Sequence, residues 1–250
     1  MAKKYWKPVL LLLVAGAAAA AALWMPARQC AVAGSSRYTA KEYEAAIGLP
    51  GRRIAVLRAD TGALMKEIEA KLPYARVEKI ERRFTGTLRL HVRDKQAVFA
   101  QAYGKQWWLI SETGQLLELA GSRPPGTRVV TGAAPEKPKA GQAIHWKGSR
   151  AGGRALALLM EELRRAELDA EITGIRVTSG PMPDAVYQNR LRLRFGAPPP
   201  GAESEAEILR EKLLLAKQAI AALDKKNQAQ QGVLDLSLGK AYFTAGGMFN

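Results

Sequence analysis

Thr87-Leu88-Arg89-Leu90-His91-Val92-Arg93 alternates strictly between apolar and polar side chains, a period of two that predicts a strand with one face on a core. Residues 75–82 predict a second strand, and Thr85-Gly86 supplies the turn between the two. Before them Leu64, Ile68 and Leu72 recur every four residues, with Met65 filling the same stripe. This predicts a helix that starts after Asp60 or Thr61 and stops at Pro73, whose ring cannot continue it. An earlier helix starts at Thr39, where Thr39 and Glu42 have capping-box spacing and Tyr38 and Tyr43 occupy the staple positions. It is expected to end near Gly48. Residues 29–33 predict one more strand, followed by Gly34-Ser35-Ser36 as a turn. The order strand, helix, helix, strand, strand forms a minimal closed core, two helices on one apolar sheet face.

From Gln96 onward the texture changes to short strands with turn signals. Strands are expected over 97–102, 106–111 and 115–119, punctuated by Gly104 and Gly114, with one more at 128–131 inside a Gly-, Pro- and Lys-rich stretch. Leu156, Leu159, Met160 and Leu163 predict an amphipathic helix, and residues 171–178 a strand. Leu191, Leu193 and Phe195 alternate with Arg190, Arg192 and Arg194 in another. The longest helix begins at Ser204, which with Glu207 has a second capping-box spacing, and carries the stripe Leu209, Leu213, Ala216, Ile220 and Leu223. Residues 233–238 and 240–244 predict two closing strands around Gly239.

The amino-terminal region reads differently. No charge occurs from Val9 to Met25, with Lys3, Lys4 and Lys7 before the run and Arg28 after it. As a helix the run reaches roughly 26 Å, against a hydrocarbon core of about 30 Å. It predicts a single transmembrane helix over 9–25, anchored through Val9, Leu12, Leu23 and Trp24, with residues 1–8 as a short cytoplasmic tail and the bulk extracytoplasmic. A cleaved secretory signal is the alternative, because Ala20 to Ala22 are small. Against it, the apolar run continues through Leu23, Trp24 and Met25.

The chain has 250 residues and a formal net charge of +15. Outside a cytoplasm such charge points to lipid headgroups, wall polymers or acidic proteins rather than nucleic acid. The single cysteine, Cys30, excludes an internal disulfide. Ser237 and Lys240 have the Ser-x-x-Lys spacing of penicillin-binding enzymes but bracket a strand and a turn, not the start of a helix. His91 and His145 stand apart, and His91 lies among arginines that oppose a metal ion. Asp94 and Glu112 have no acidic partner in sequence. No catalytic residue, cofactor-binding residue, metal ligand or small-molecule substrate is expected. The arginines at 89, 93, 190, 192 and 194 read as solvated sheet faces, or as a surface for anionic lipid or acidic segments. Trp107 and Trp108 point to opposite faces of one strand, so one of them is expected in the core.

The terminal segment 233–244 is the candidate binding edge. An outermost strand offers unpaired backbone donors and acceptors to a partner strand, and Leu234, Leu236, Tyr242 and Phe243 are the expected anchors. The alternative is that these side chains face the core and the backbone alone makes contact.

Several stretches resemble the FtsQ/DivIB family of bacterial cell-division proteins. They are Leu72-Pro73-Tyr74-Ala75, Ile80-Glu81-Arg82-Arg83-Phe84, Thr87-Leu88 and Val92-Arg93-Asp94-Lys95, then Trp108-Leu109-Ile110 and Thr113-Gly114-Gln115-Leu116-Leu117, and finally Gly232 to Ser237 with Ala241-Tyr242-Phe243. The sequence departs at Thr85-Gly86 and Ala97, turn positions where the family often has proline. The resemblance implies an α+β fold: a single transmembrane helix, a POTRA domain (β-α-α-β-β) over 28–95, and a mostly antiparallel β domain with flanking helices over 96–250. It implies a non-enzymatic scaffold of the cell membrane and division septum that binds FtsB/DivIC- and FtsL-type bitopic proteins. Through them it would influence septal peptidoglycan synthesis, with a septal peptidoglycan synthase as a further partner. The alternative is a POTRA-containing export or envelope-assembly factor.

Overall fold

The computed structural model describes residues 10–11, 13–14, 16–17, 25–49, 51, 54–83, 85–197, 204–225 and 231–246. The chain divides into two compact units, Met1–Lys95 and Gln96–Asn250.

In the first unit β1 (Gln29–Ala33) is followed by α1 (Ala40–Ala46), α2 (Thr61–Lys71), β2 (Ala75–Arg83) and β3 (Thr87–Asp94). The sheet order is β1-β3-β2, with β1 parallel and β2 antiparallel to the central β3. Leu88, Leu90 and Val92 are buried as their alternation requires, and with Ile80 and Val77 they meet Tyr43, Ile47, Leu64 and Ile68 from the helical side. Helix α1 starts where the capping box puts it: the Glu42 carboxylate accepts from Thr39 N–H at 2.7 Å, and Thr39 Oγ1 accepts from Glu42 N–H at 3.4 Å. The Tyr38 and Tyr43 rings pack edge to face at 6.1 Å. Helix α2 is capped by Asp60, which accepts from Ala63 N–H at 3.1 Å.

The second unit contains β4 (Ala97–Tyr103), β5 (Gln106–Ser111), β6 (Leu116–Ala120), β7 (Arg128–Gly132), α3 (Gly153–Arg165), β8 (Ile172–Val177), β9 (Asp184–Tyr187), β10 (Leu191–Arg194), α4 (Glu205–Lys225), β11 (Gly232–Asp235) and β12 (Tyr242–Ala245). Its nine strands form one sheet in the order β12-β11-β10-β9-β8-β7-β4-β5-β6. Helices α3 and α4 supply Leu156, Leu159, Leu163, Leu209, Leu213 and Ile220 to the core, against Phe99, Ile110, Ile175, Leu191, Leu193 and Phe195 from the sheet and the chain just after β10. The Glu162 side chain, 1% exposed, joins the two helices by ion pairs with Arg165 of α3 at 3.1 Å and Arg210 of α4 at 3.0 Å. Trp108 is the core member of the tryptophan pair, while Trp107 is half-buried.

The sheet's other face carries a row of charges. Tyr242 lies opposite Asp235, Asp235 opposite Arg194, and Asp184 opposite Arg176; one more step of the β9–β10 register sets Arg194 against Asp184. Beneath this row Nε and Nη2 of Arg192 both donate to Oδ2 of Asp184 at 2.7 Å, with the side chains only 6% and 3% exposed.

The fold class expected from the sequence is corrected on two counts. Among the described residues no helix is long and apolar enough to cross a membrane, which overturns the transmembrane helix and the single-pass placement in a cell membrane drawn from it. The proposed anchors Val9, Leu12, Leu23 and Trp24 lie outside the described residues. Second, the dominant sheet has nine strands and is unlike a POTRA β-α-α-β-β unit. Three of its junctions, β10·β11, β4·β7 and β7·β8, are parallel. The physical reason lies in the connections: α4 and α3 are crossover helices that return the chain for the β10·β11 and β7·β8 pairs, and the chain passes through β5 and β6 before β7 returns beside β4; a single hairpin turn makes none of these parallel pairs.

Because Arg192 and Asp184 are both buried, removing one partner costs far more than replacing both by apolar groups. Asp184→Ala is expected to lower unfolding free energy by about 3–5 kcal/mol. The double variant Asp184→Leu/Arg192→Met should recover most of that loss, as urea unfolding of the three proteins will show.

Candidate partner-binding edge

Strand β12 is the last strand of the nine-stranded sheet on its side. It runs antiparallel to β11 with Leu234 opposite Phe243 and Asp235 opposite Tyr242. Gly246 N–H donates to Gln231 O at 2.8 Å, which sets the phase of the ladder. By the alternation of an antiparallel pair, Thr244 and Tyr242 bond inward to β11, and the N–H and C=O groups of Phe243 and Ala245 point away from the sheet. Among the described residues no other segment bonds that outward side.

The same register decides which side chains are available. Leu234 and Phe243 share the helix-covered face, and Leu236 follows two residues after Leu234 on that face. Leu234 is 1% exposed and Leu236 0% exposed, so both are core residues and not partner anchors. This corrects the expectation for that pair: the period of two that gave them apolar side chains also turned them toward α4. Phe243 is half-buried and packs against the core. Tyr242 is 52% exposed on the opposite face, the one large side chain of the four presented to solvent. The strands are also shorter than expected. Residues 236–241 form the connection between them, so Ser237 and Lys240 sit in a turn and its margin rather than in a helix.

Two features hold β12 in place. A Cβ on Gly232 would press into Thr244 O and the Phe243 ring, so only glycine lets β12 approach β11 this closely. Asp235 organises the turn: Oδ1 accepts from Ser237 N–H at 2.9 Å, and Oδ2 takes an ion pair from Arg194 at 3.3 Å. Burial alone would raise the Asp235 carboxyl, but the Ser237 hydroxyl and N–H and the Arg194 guanidinium together hold it below its ordinary value.

Most of the expected arginines are ion-paired: Arg190 with Asp224 at 2.7 Å, Arg192 with Asp184 and Arg194 with Asp235, and, within the first unit, Arg93 with Glu78 at 2.9 Å. His91 lies 3.3 Å from Glu81 and belongs to that unit's sheet. The outward groups of Phe243 and Ala245 escape a sequence reading because they are backbone and carry no residue signature. Gly232 and Gly246, which bracket the final pair, were the available signal.

No protein-family model matches this chain, and comparison with curated proteins returns no match.

A carboxylate whose folded value is depressed stabilises above its unfolded value, near pH 3.9, and loses that contribution as the pH falls through the folded value. Asp235→Asn is therefore expected to be less stable than the parent by about 1 kcal/mol at pH 7. The difference should shrink as the pH falls below that unfolded value and through the folded one. Thermal melts at pH 7 and along an acid series check this.

Proposed function

We propose that this chain is a non-catalytic scaffold that binds partner proteins by adding a strand to β12. On the residues that resemble the FtsQ/DivIB family, the partners are division proteins of the FtsB/DivIC and FtsL type, through which it influences septal peptidoglycan synthesis. The observation that carries the reading is the outward backbone of Phe243 and Ala245, unpaired among the described residues, at the margin of a large sheet. A partner strand there satisfies its own backbone groups on the chain's, and the exposed Tyr242 ring offers contact area beside it.

Ala245 separates this binding mode from the others. Its N–H points outward, its side chain is exposed, and the preceding Thr244 is already extended, so proline fits there without breaking the β11 ladder. The proline removes a donor that an incoming strand needs. Purified chain is expected to capture FtsB/DivIC-type protein, with FtsL-type protein retained through it. Ala245→Pro should weaken capture at least ~10-fold, a change of about 1.4 kcal/mol, with an unchanged melting temperature. Tyr242→Ala should weaken it in the same direction. Capture of neither protein overturns the assignment to division, and full capture by Ala245→Pro overturns strand addition.

A further inference from the structure

The first unit's sheet has two outer margins, β1 and β2, since β3 lies between them; just before β1, residues 25–27 already pair with 54–56. A strand margin is self-complementary: two copies of one strand, related by a two-fold axis, satisfy each other's backbone groups. Both margins here are closed by a glutamate from a neighbouring helix. On β1, Cys30 N–H points away from β3 and donates to Glu44 Oε1 of α1 at 2.8 Å. On β2, Val77 N–H sits at a register shift and donates to Glu69 Oε1 of α2 at 3.0 Å. The second oxygen of Glu69 accepts from Lys95 Nζ at 3.2 Å, and the Lys95 side chain is only 4% exposed.

We propose that Glu44 and Glu69 are plugs on these margins, preventing β1 and β2 from pairing with a second copy of the chain. A carboxylate at this position acts twice. It occupies the N–H that an incoming carbonyl must reach, and its charge repels that carbonyl. The two plugs lie on the two helices that cover the sheet, so each helix serves the core with one face and guards a margin with another. Strand β2 is protected further by Arg76, Glu78, Lys79, Glu81, Arg82 and Arg83, a charge density that disfavours pairing. The β12 margin has no counterpart of either plug among the described residues.

The test uses the full chain with Ala245→Pro already in place, so that pairing at β12 does not contribute. Glu44→Ala is expected to self-associate at least ~10-fold more tightly than this parent by sedimentation equilibrium. Hydrogen exchange at the Cys30 amide should be at least ~10-fold faster in the monomer. Glu44→Gln keeps an oxygen acceptor and should remain monomeric. Removing Glu69 alone would strand the buried Lys95, so the second variant is Glu69→Ala/Lys95→Met, for which the same association is expected through β2. An unprotected Cys30 amide in the parent would overturn the idea without any variant. So would a Glu44→Ala protein as monomeric as the parent, or a Glu44→Gln protein that associates equally well. None of these outcomes bears on capture by β12, which Ala245→Pro already weakens in the parent.

Discussion

The second unit depends on the burial of Arg192 against Asp184. A guanidinium and a carboxylate taken together out of water are tolerated only when the geometry is close, and here two nitrogens meet one oxygen at 2.7 Å. That demand locks β10 to β9 in one register. Next to it Arg194 reaches across a parallel junction to Asp235, so the same short strand, Leu191–Arg194, also sets the register of β11. A slip of one residue at either junction would turn Leu191 and Leu193 out of the core and Arg192 into it. The position of β12, and with it the free margin, follows from this lock.

The chain treats its sheet margins unequally. The β1 and β2 margins each carry a glutamate on an outward N–H. The β6 margin is covered at one point, where Leu116 N–H donates to Gln142 O and Leu116 O accepts from Gly141 N–H, both at 2.8 Å. The β12 margin has a tyrosine half in solvent and two outward backbone positions. An open strand margin invites indiscriminate pairing, and each of these contacts removes one backbone position from that risk.

Local signals in the sequence are legible where one segment suffices to state them. The capping box at Thr39, the Ser204 hydroxyl accepting from Glu207 N–H, the stop after Leu72 and the alternation from Thr87 to Arg93 all correspond to observed structure, because each depends on groups within a few residues. The strand Asp184–Tyr187 is not legible, since four residues beginning after two prolines show no period. Leu234 and Leu236 read as anchors because an apolar side chain near a margin looks the same whether it faces a core or a partner. The run after Val9 reads as a membrane span from its lack of charge alone, and the described helices do not support it.

By itself the sequence determined most of the strands and helices, where most of them start, and that the texture changes near Gln96, since hydrophobic period and capping chemistry act over one or two turns of chain. Only the tertiary structure decided that β10 and β11 run parallel, that Arg192 is buried and not solvated, and that the last two strands turn Tyr242 outward and Leu234 inward. Those outcomes require knowing which strand lies beside which. That is set by ion pairs joining residues 8 and 41 positions apart and by crossovers between distant strands, and no local pattern carries such information.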